Sequence, residues 1–163
     1  MAKSARSFLT DELKRRLLPR LAAEGWQVVK RPPEFDSPEL SRSAPLGPLR
    51  RPRSGGIQAL DLQFDKRYGP RFRVSLGTLP AAGLASAIGG PPIPPAALDA
   101  LNAPDAVILR AWLLGDWFGF WPWQTPSRDR AARVVDRCLA HWGEVESFFR
   151  DGSVGPHLRP APP

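Results

Sequence analysis

Cys138 and His141 stand three residues apart in the run RCLAHWGE, a spacing that brings side chains onto adjacent turns of a helix, where a thiolate and an imidazole could share a proton or a metal ion. Helical phase argues for a plainer role. Cys138 shares its stripe with Val134, Val135 and Trp142, and a thiol among such neighbours has a raised pKa and behaves as a small hydrophobe. His157 falls in a proline-rich tail and is expected in solvent. One cysteine and two histidines are too few for a Cys/His zinc site, so neither a metal nor a cofactor is expected. The acid pairs Asp61/Asp65 and Glu144/Glu146 fall on faces that their apolar neighbours leave wet, where carboxylates keep ordinary pKa values and make poor general acids. Asp116, between Gly115 and Trp117, is the acid best placed to lose its water, and with Arg110 it seeds an enzyme reading; capping a turn suits it better. Phosphate-binding loops of the forms G-x-x-x-x-G-K-S/T and G-x-G-x-x-G are missing, as is a G-x-S-x-G elbow. No catalytic residue is assigned, and the residue set leans away from an enzyme.

Four of the six tryptophans, Trp112, Trp117, Trp121 and Trp123, lie within twelve residues, in RAWLLGDWFGFWPW. Indoles supply area and one N–H each, so the run is a seam of the core or an interface rather than a reaction centre. In an extended segment alternate rings point to opposite sides, so they cannot all face inward. Mostly core is expected, with one or two rings outside. Trp117, Phe120, Trp121 and Trp123 are the candidate contacts for a partner protein, which makes a non-catalytic protein acting through an aromatic surface the leading expectation.

The chain carries 23 basic and 16 acidic side chains, a formal charge of +7, and nearly all the positive charge is arginine. Such a balance draws a protein toward nucleic acid only if it is gathered on one face. Arg42, Arg50, Arg51 and Arg53 follow one another with no acid between them. The alternative function is therefore nucleic-acid binding through Arg50, Arg51 and Arg53 together with Arg71 and Arg73. No aromatic is interleaved with them and no helix-turn-helix is evident, so a solvated loop is the plainer reading. Val74 to Leu98 is free of charge, yet its prolines and glycines would leave backbone groups unpaired in lipid, and no membrane span is expected. With no apolar leader at its start, the chain is expected in the cytoplasm. The oligomeric state is open.

These residues must be positioned by a modest set of elements. Phe8 to Glu24 has leucines at three- and four-residue steps and reads as an amphipathic helix, capped by Ser7 or Thr10 and kinked or split at Pro19. A short strand follows over Trp26–Lys30. Residues 31–56, with six prolines and no hydrophobic period, read as a long irregular loop. Leu60, Leu62 and Phe64 alternate with Asp61, Gln63 and Asp65, and after a turn at Tyr68, Gly69 and Pro70 the residues Phe72, Val74 and Leu76 alternate with Arg73 and Ser75. That is an antiparallel hairpin with one buried and one wet face. Residues 80–95 read as a second loop, leading to a short helix over Ala96–Leu101 and a strand over Ala106–Leu113. Ser127 starts a last helix with a continuous apolar face to Phe149, ended by Gly152. The expected fold is α+β: an antiparallel sheet of about three to five strands, two main helices packed on one face, and long proline-rich loops. One domain spans 1–151, and 152–163 is a flexible tail.

Three stretches, LLPRLAAEGWQVVKR (17–31), LDLQFDKRYGPRFRVSLGTL (60–79) and LRAWLLGDWF (109–118), together resemble the opening helix, the hairpin and the Arg-bearing strand of a family of small bacterial domains, the domain of unknown function numbered 4304 (DUF4304). The arginine-rich loop at 42–53 and the proline-rich loop at 80–95 depart from that pattern. The resemblance implies an α+β domain and no particular activity.

Overall fold

The computed structural model describes residues 4–67, 69–112 and 115–163. Helix α1 spans Ala5–Ala23 and begins a turn earlier than its leucine pattern requires, because the Ser4 hydroxyl accepts the Ser7 amide. Leu9, Leu13, Leu17 and Leu21 form its buried face, and the helix runs through Pro19 without a break. It packs on α3 (Arg128–Ala140), which Ser127 caps as expected. Glu12 is buried at this seam between the guanidinium groups of Arg15, Arg16 and Arg128. The Arg15 hydrogen bond holds the Glu12 carboxyl below its ordinary value, against the opposing effect of burial.

The expected single last helix is two. The chain bends at His141, and α4 covers Trp142–Asp151 before Gly152 closes it in the left-handed conformation, φ +78°. The bend keeps Trp142, Val145 and Phe148 of α4 on the same core as Val134, Val135 and Cys138 of α3.

The sheet is antiparallel and larger than expected, with seven strands among the described residues. In chain order they are β1 (Gln27–Val28), β2 (Leu49–Arg53), β3 (Gly56–Phe64), β4 (Arg71–Leu79), β5 (Val107–Leu109), β6 (Phe118–Gly119) and β7 (Leu158–Pro160). The order across the sheet is β1-β2-β3-β4-β5-β7, and β6 pairs with the stretch of β4 that β5 leaves open. The β3–β4 hairpin has the register its alternation demands, with Leu60 opposite Leu76, Leu62 opposite Val74 and Phe64 opposite Phe72. Of its turn, Tyr68 lies outside the described residues. So does Leu113, at the end of the strand expected over 106–113, of which Val107–Leu109 forms β5 and Trp112 makes a single bridge to Gly115.

Two segments expected to be irregular are built into the sheet. Within 31–56 the chain forms a short helix, α2 (Pro38–Ser43), and β2, whose Pro52 stands opposite Ile57. The tail at 152–163 returns as β7, with Pro160 opposite Val107 and Leu158 opposite Leu109. Both corrections have one cause: proline is compatible with a strand whose N–H side faces away from a partner. Residues 80–95 do run without regular elements apart from a bridge between Leu84 and Ile93, and the helix expected over 96–101 is a single turn at Ala100–Asn102.

Helices α1, α3 and α4 cover one face of the sheet. On the other, Leu98, Ala100 and Ala103 pack onto Ala59 and Leu79. The small residues of the sheet permit this close approach: a Cβ on Gly77 would lie 2.4 Å from that of Ala103 and 2.8 Å from the Ala100 carbonyl oxygen.

Candidate functional site

The hairpin face expected to be wet is dry at one end. Asp61 is buried beneath the 80–106 segment, where its carboxylate accepts from Arg50 Nη1 at 2.9 Å and from the Ala100 amide at 2.6 Å. Arg50 is buried as well and donates to the Pro95 and Leu98 carbonyls, so the arginine proposed for nucleic acid instead fastens this segment to the sheet. Burial pushes the Asp61 carboxyl above its ordinary value, while the Arg50 charge draws it back. Arg51 is half-buried, its guanidinium 4.6 Å from the Trp26 ring and donating to the Glu24 carbonyl and to Gln58. Of that run, Arg53 reaches solvent.

Further along the same face Arg71 pairs with Asp65 at 2.6 Å, the cross-strand ion pair the alternation suggests. Arg73 donates to Gln63 at 2.9 Å, and burial lowers its pKa. Both guanidinium groups lie over Trp117, at 5.1 and 5.4 Å from the ring. Trp117 is therefore a partly covered plate beneath two cations rather than a free contact. Asp116 beside it accepts two hydrogen bonds from the Arg159 guanidinium, from Nε at 2.7 Å on one carboxylate oxygen and from Nη2 on the other. Those bonds keep its carboxyl below the ordinary range, with Arg110 and Arg73 adding to the effect. An acid stabilised as its anion in this way is a poor general base.

The aromatic run divides between inside and outside. Phe118 is fully buried and stacks on Phe72 at 5.6 Å, and Phe120 packs partly against the core. Trp112, Trp121 and Trp123 are exposed by 53, 39 and 77%. They touch one another: Trp112 meets Trp121 edge to face at 5.4 Å, and Trp121 stacks on Trp123 at 5.3 Å. Three exposed indoles exceed the one or two expected, and Trp112 replaces Trp117 and Phe120 in the group. Beside Trp121 a groove of about 340 Å³ runs along α3, lined by Gln124, Arg130, Arg133, Arg137 and Asp136, whose exposed carboxylate pairs with Arg16.

Cys138 is fully buried and burial raises its thiol pKa strongly, as its helical phase suggests. His141 does not meet it. It stacks instead on His157, ring centroids 3.7 Å apart and planes 19° from parallel. His157 is thus not in open solvent: its Nδ1 lies 2.5 Å from Glu144 Oε1, and its backbone amide donates to Glu144 Oε2 at 2.8 Å. Burial and the facing His157 hold His141 below its ordinary pKa, with Glu144 opposing. The signal available in the sequence was that the chain has only two histidines and that the second precedes an alternating Leu158-Arg159-Pro160.

Among the described residues no helix is long and apolar enough to cross a membrane. Compared with family models, with curated proteins and with solved structures, the chain matched none, so the resemblance drawn above stands on its own motifs.

Proposed function

We propose that this chain is a non-catalytic protein that binds another protein through the indole ridge of Trp112, Trp121 and Trp123, the partner presenting an acidic segment with an apolar anchor. The observation that carries this reading is that three exposed indoles gather at one place, Trp121 meeting Trp112 edge to face and stacking on Trp123, beside a groove lined largely by arginines. Large rigid aromatics at a surface supply contact area at low entropic cost, and such residues dominate interface energetics. The arginines of α3 complement acidic side chains and set orientation and encounter rate more than strength.

A photo-crosslinking residue placed at position 123 in living cells tests this directly. Cross-links to an acidic stretch of a different protein are expected. Cross-links confined to nucleic acid, with binding that falls steeply as salt rises, would overturn the proposal in favour of the arginine-based alternative. Cross-links only to the same chain would overturn it in favour of self-association. Trp123→Ala should abolish the cross-linked contact made from a neighbouring position while changing stability by less than about 0.5 kcal/mol, since the ring is mostly in solvent. If that variant unfolds, the ridge belongs to the core.

A further inference from the structure

We propose that His141, Glu144 and His157 form a binding site for a zinc-like divalent transition ion, which clasps β7 to the junction of α3 and α4. The two histidines of the chain, sixteen positions apart and on different elements, converge on a single carboxylate. One ligand atom from each of the three residues lies within 4.8 Å of the others. His141 is fixed at the bend between the helices and Glu144 stands in the first turn of α4. His157 is delivered by the return of the chain into β7.

The carboxylate is held in place rather than merely nearby. Its Oε2 takes the His157 amide, and Gly155 lies flat against it: a Cβ there would come within 2.3 Å of that oxygen. Oε1 is left to face the imidazoles, an arrangement in which one carboxylate oxygen is oriented by the backbone and the other is available to a metal. The side chains of His157 and Glu144 are 33 and 21% exposed, so an ion has a path in from solvent.

Two imidazoles and one carboxylate suit zinc and its neighbours in the first transition row. Magnesium and calcium prefer all-oxygen shells. A tetrahedral shell with bonds of about 2.0–2.1 Å sets donors roughly 3.3 Å apart. The 2.5 Å contact between Nδ1 and Oε1 must therefore open by about 0.8 Å, separations of up to 4.8 Å close by up to about 1.5 Å, and the two rings turn out of their stack so that both in-plane lone pairs reach one ion. Three protein ligands leave a fourth position to water.

With two histidines, the chain offers a clean readout. The untagged full-length protein, labelled with 15N-histidine, is titrated with zinc chloride and the ring nitrogens are followed by NMR. Both rings are expected to respond together and to saturate at one equivalent, with a rise in the melting temperature over the same range. Glu144→Gln keeps the shape and the acceptor for the His157 amide, and should weaken zinc binding by about tenfold or more. His141→Asn, at a helix end that tolerates asparagine, should do the same. Response of one ring alone, saturation only at large excess, or equal affinity in Glu144→Gln would overturn the proposal and leave an imidazole–carboxylate contact that merely pins the strand. If the variants fail to fold, the wild-type titration still decides.

Discussion

Replacing Arg50 by methionine would leave the Asp61 carboxylate buried opposite Ser75 without the countercharge it now has, and the Ser75 hydroxyl there already lacks a hydrogen-bond partner among the described residues. Loss of one member of a buried ion pair costs about 3–5 kcal/mol, whereas an apolar pair of similar volume is often tolerated. Urea unfolding should show Arg50→Met strongly destabilised and the double variant Arg50→Met, Asp61→Leu recovering much of the loss. Failure of the double variant to recover would mean that the Pro95 and Leu98 carbonyls, not Asp61, are what the guanidinium serves. Asp116 makes a second case. Its folded pKa is depressed below the ordinary 3.8 by Arg159, so its contribution to stability is present above that value and is lost as pH falls through it toward the folded pKa. The stability gap between wild type and Asp116→Asn should thus be constant near neutrality and close on the acid side of pH 3.8. A gap that stays unchanged through the acid side of pH 3.8 would show that the charge of Asp116 contributes nothing to it. Cys138 was legible from its phase on the helix, because burial of a helical residue depends on near neighbours. Arg50 and Asp61 were not, because their pairing depends on a strand register and on a covering segment some forty residues away.

At the scale of elements, the hairpin and the cap and stop of the last helices were legible, since alternation, a serine and a glycine act locally. β2 and β7 were hidden by prolines that usually mark loops, and each is held by a partner strand rather than by its own propensity. The dry end of the hairpin had a signal that alternation ignores: Ala59, Ser75 and Gly77 are small for a solvated face, and small residues admit a second layer. The bend at His141 left no mark beyond Gly143. Pro19 offers a test of local against tertiary control in α1. Lacking an N–H, it leaves the Arg15 carbonyl without its helical donor. Pro19→Ala should restore that bond and raise stability by roughly 1–3 kcal/mol, seen as a higher melting temperature. A lower one would show that the helix is shaped around the proline to fit α3.

Considered whole, the molecule carries its positive charge unevenly in chemical terms. Arg50 is buried, Arg51, Arg71 and Arg73 are engaged by rings and acceptors, and Arg15, Arg16 and Arg128 surround Glu12. Net charge therefore overstates what a partner meets, and the groove on α3 is where cations and exposed indoles coincide. The prolines in the sheet bear on this in another way. Pro52 lies on β2 beyond the two-residue β1, and Pro160 lies on β7 at the opposite margin. Each removes an N–H from an outward main chain, and β1 and β6 offer two residues apiece. Among the described residues each margin therefore offers a short, proline-interrupted edge, which disfavours the addition of a further strand by a peptide or by a second copy of the chain.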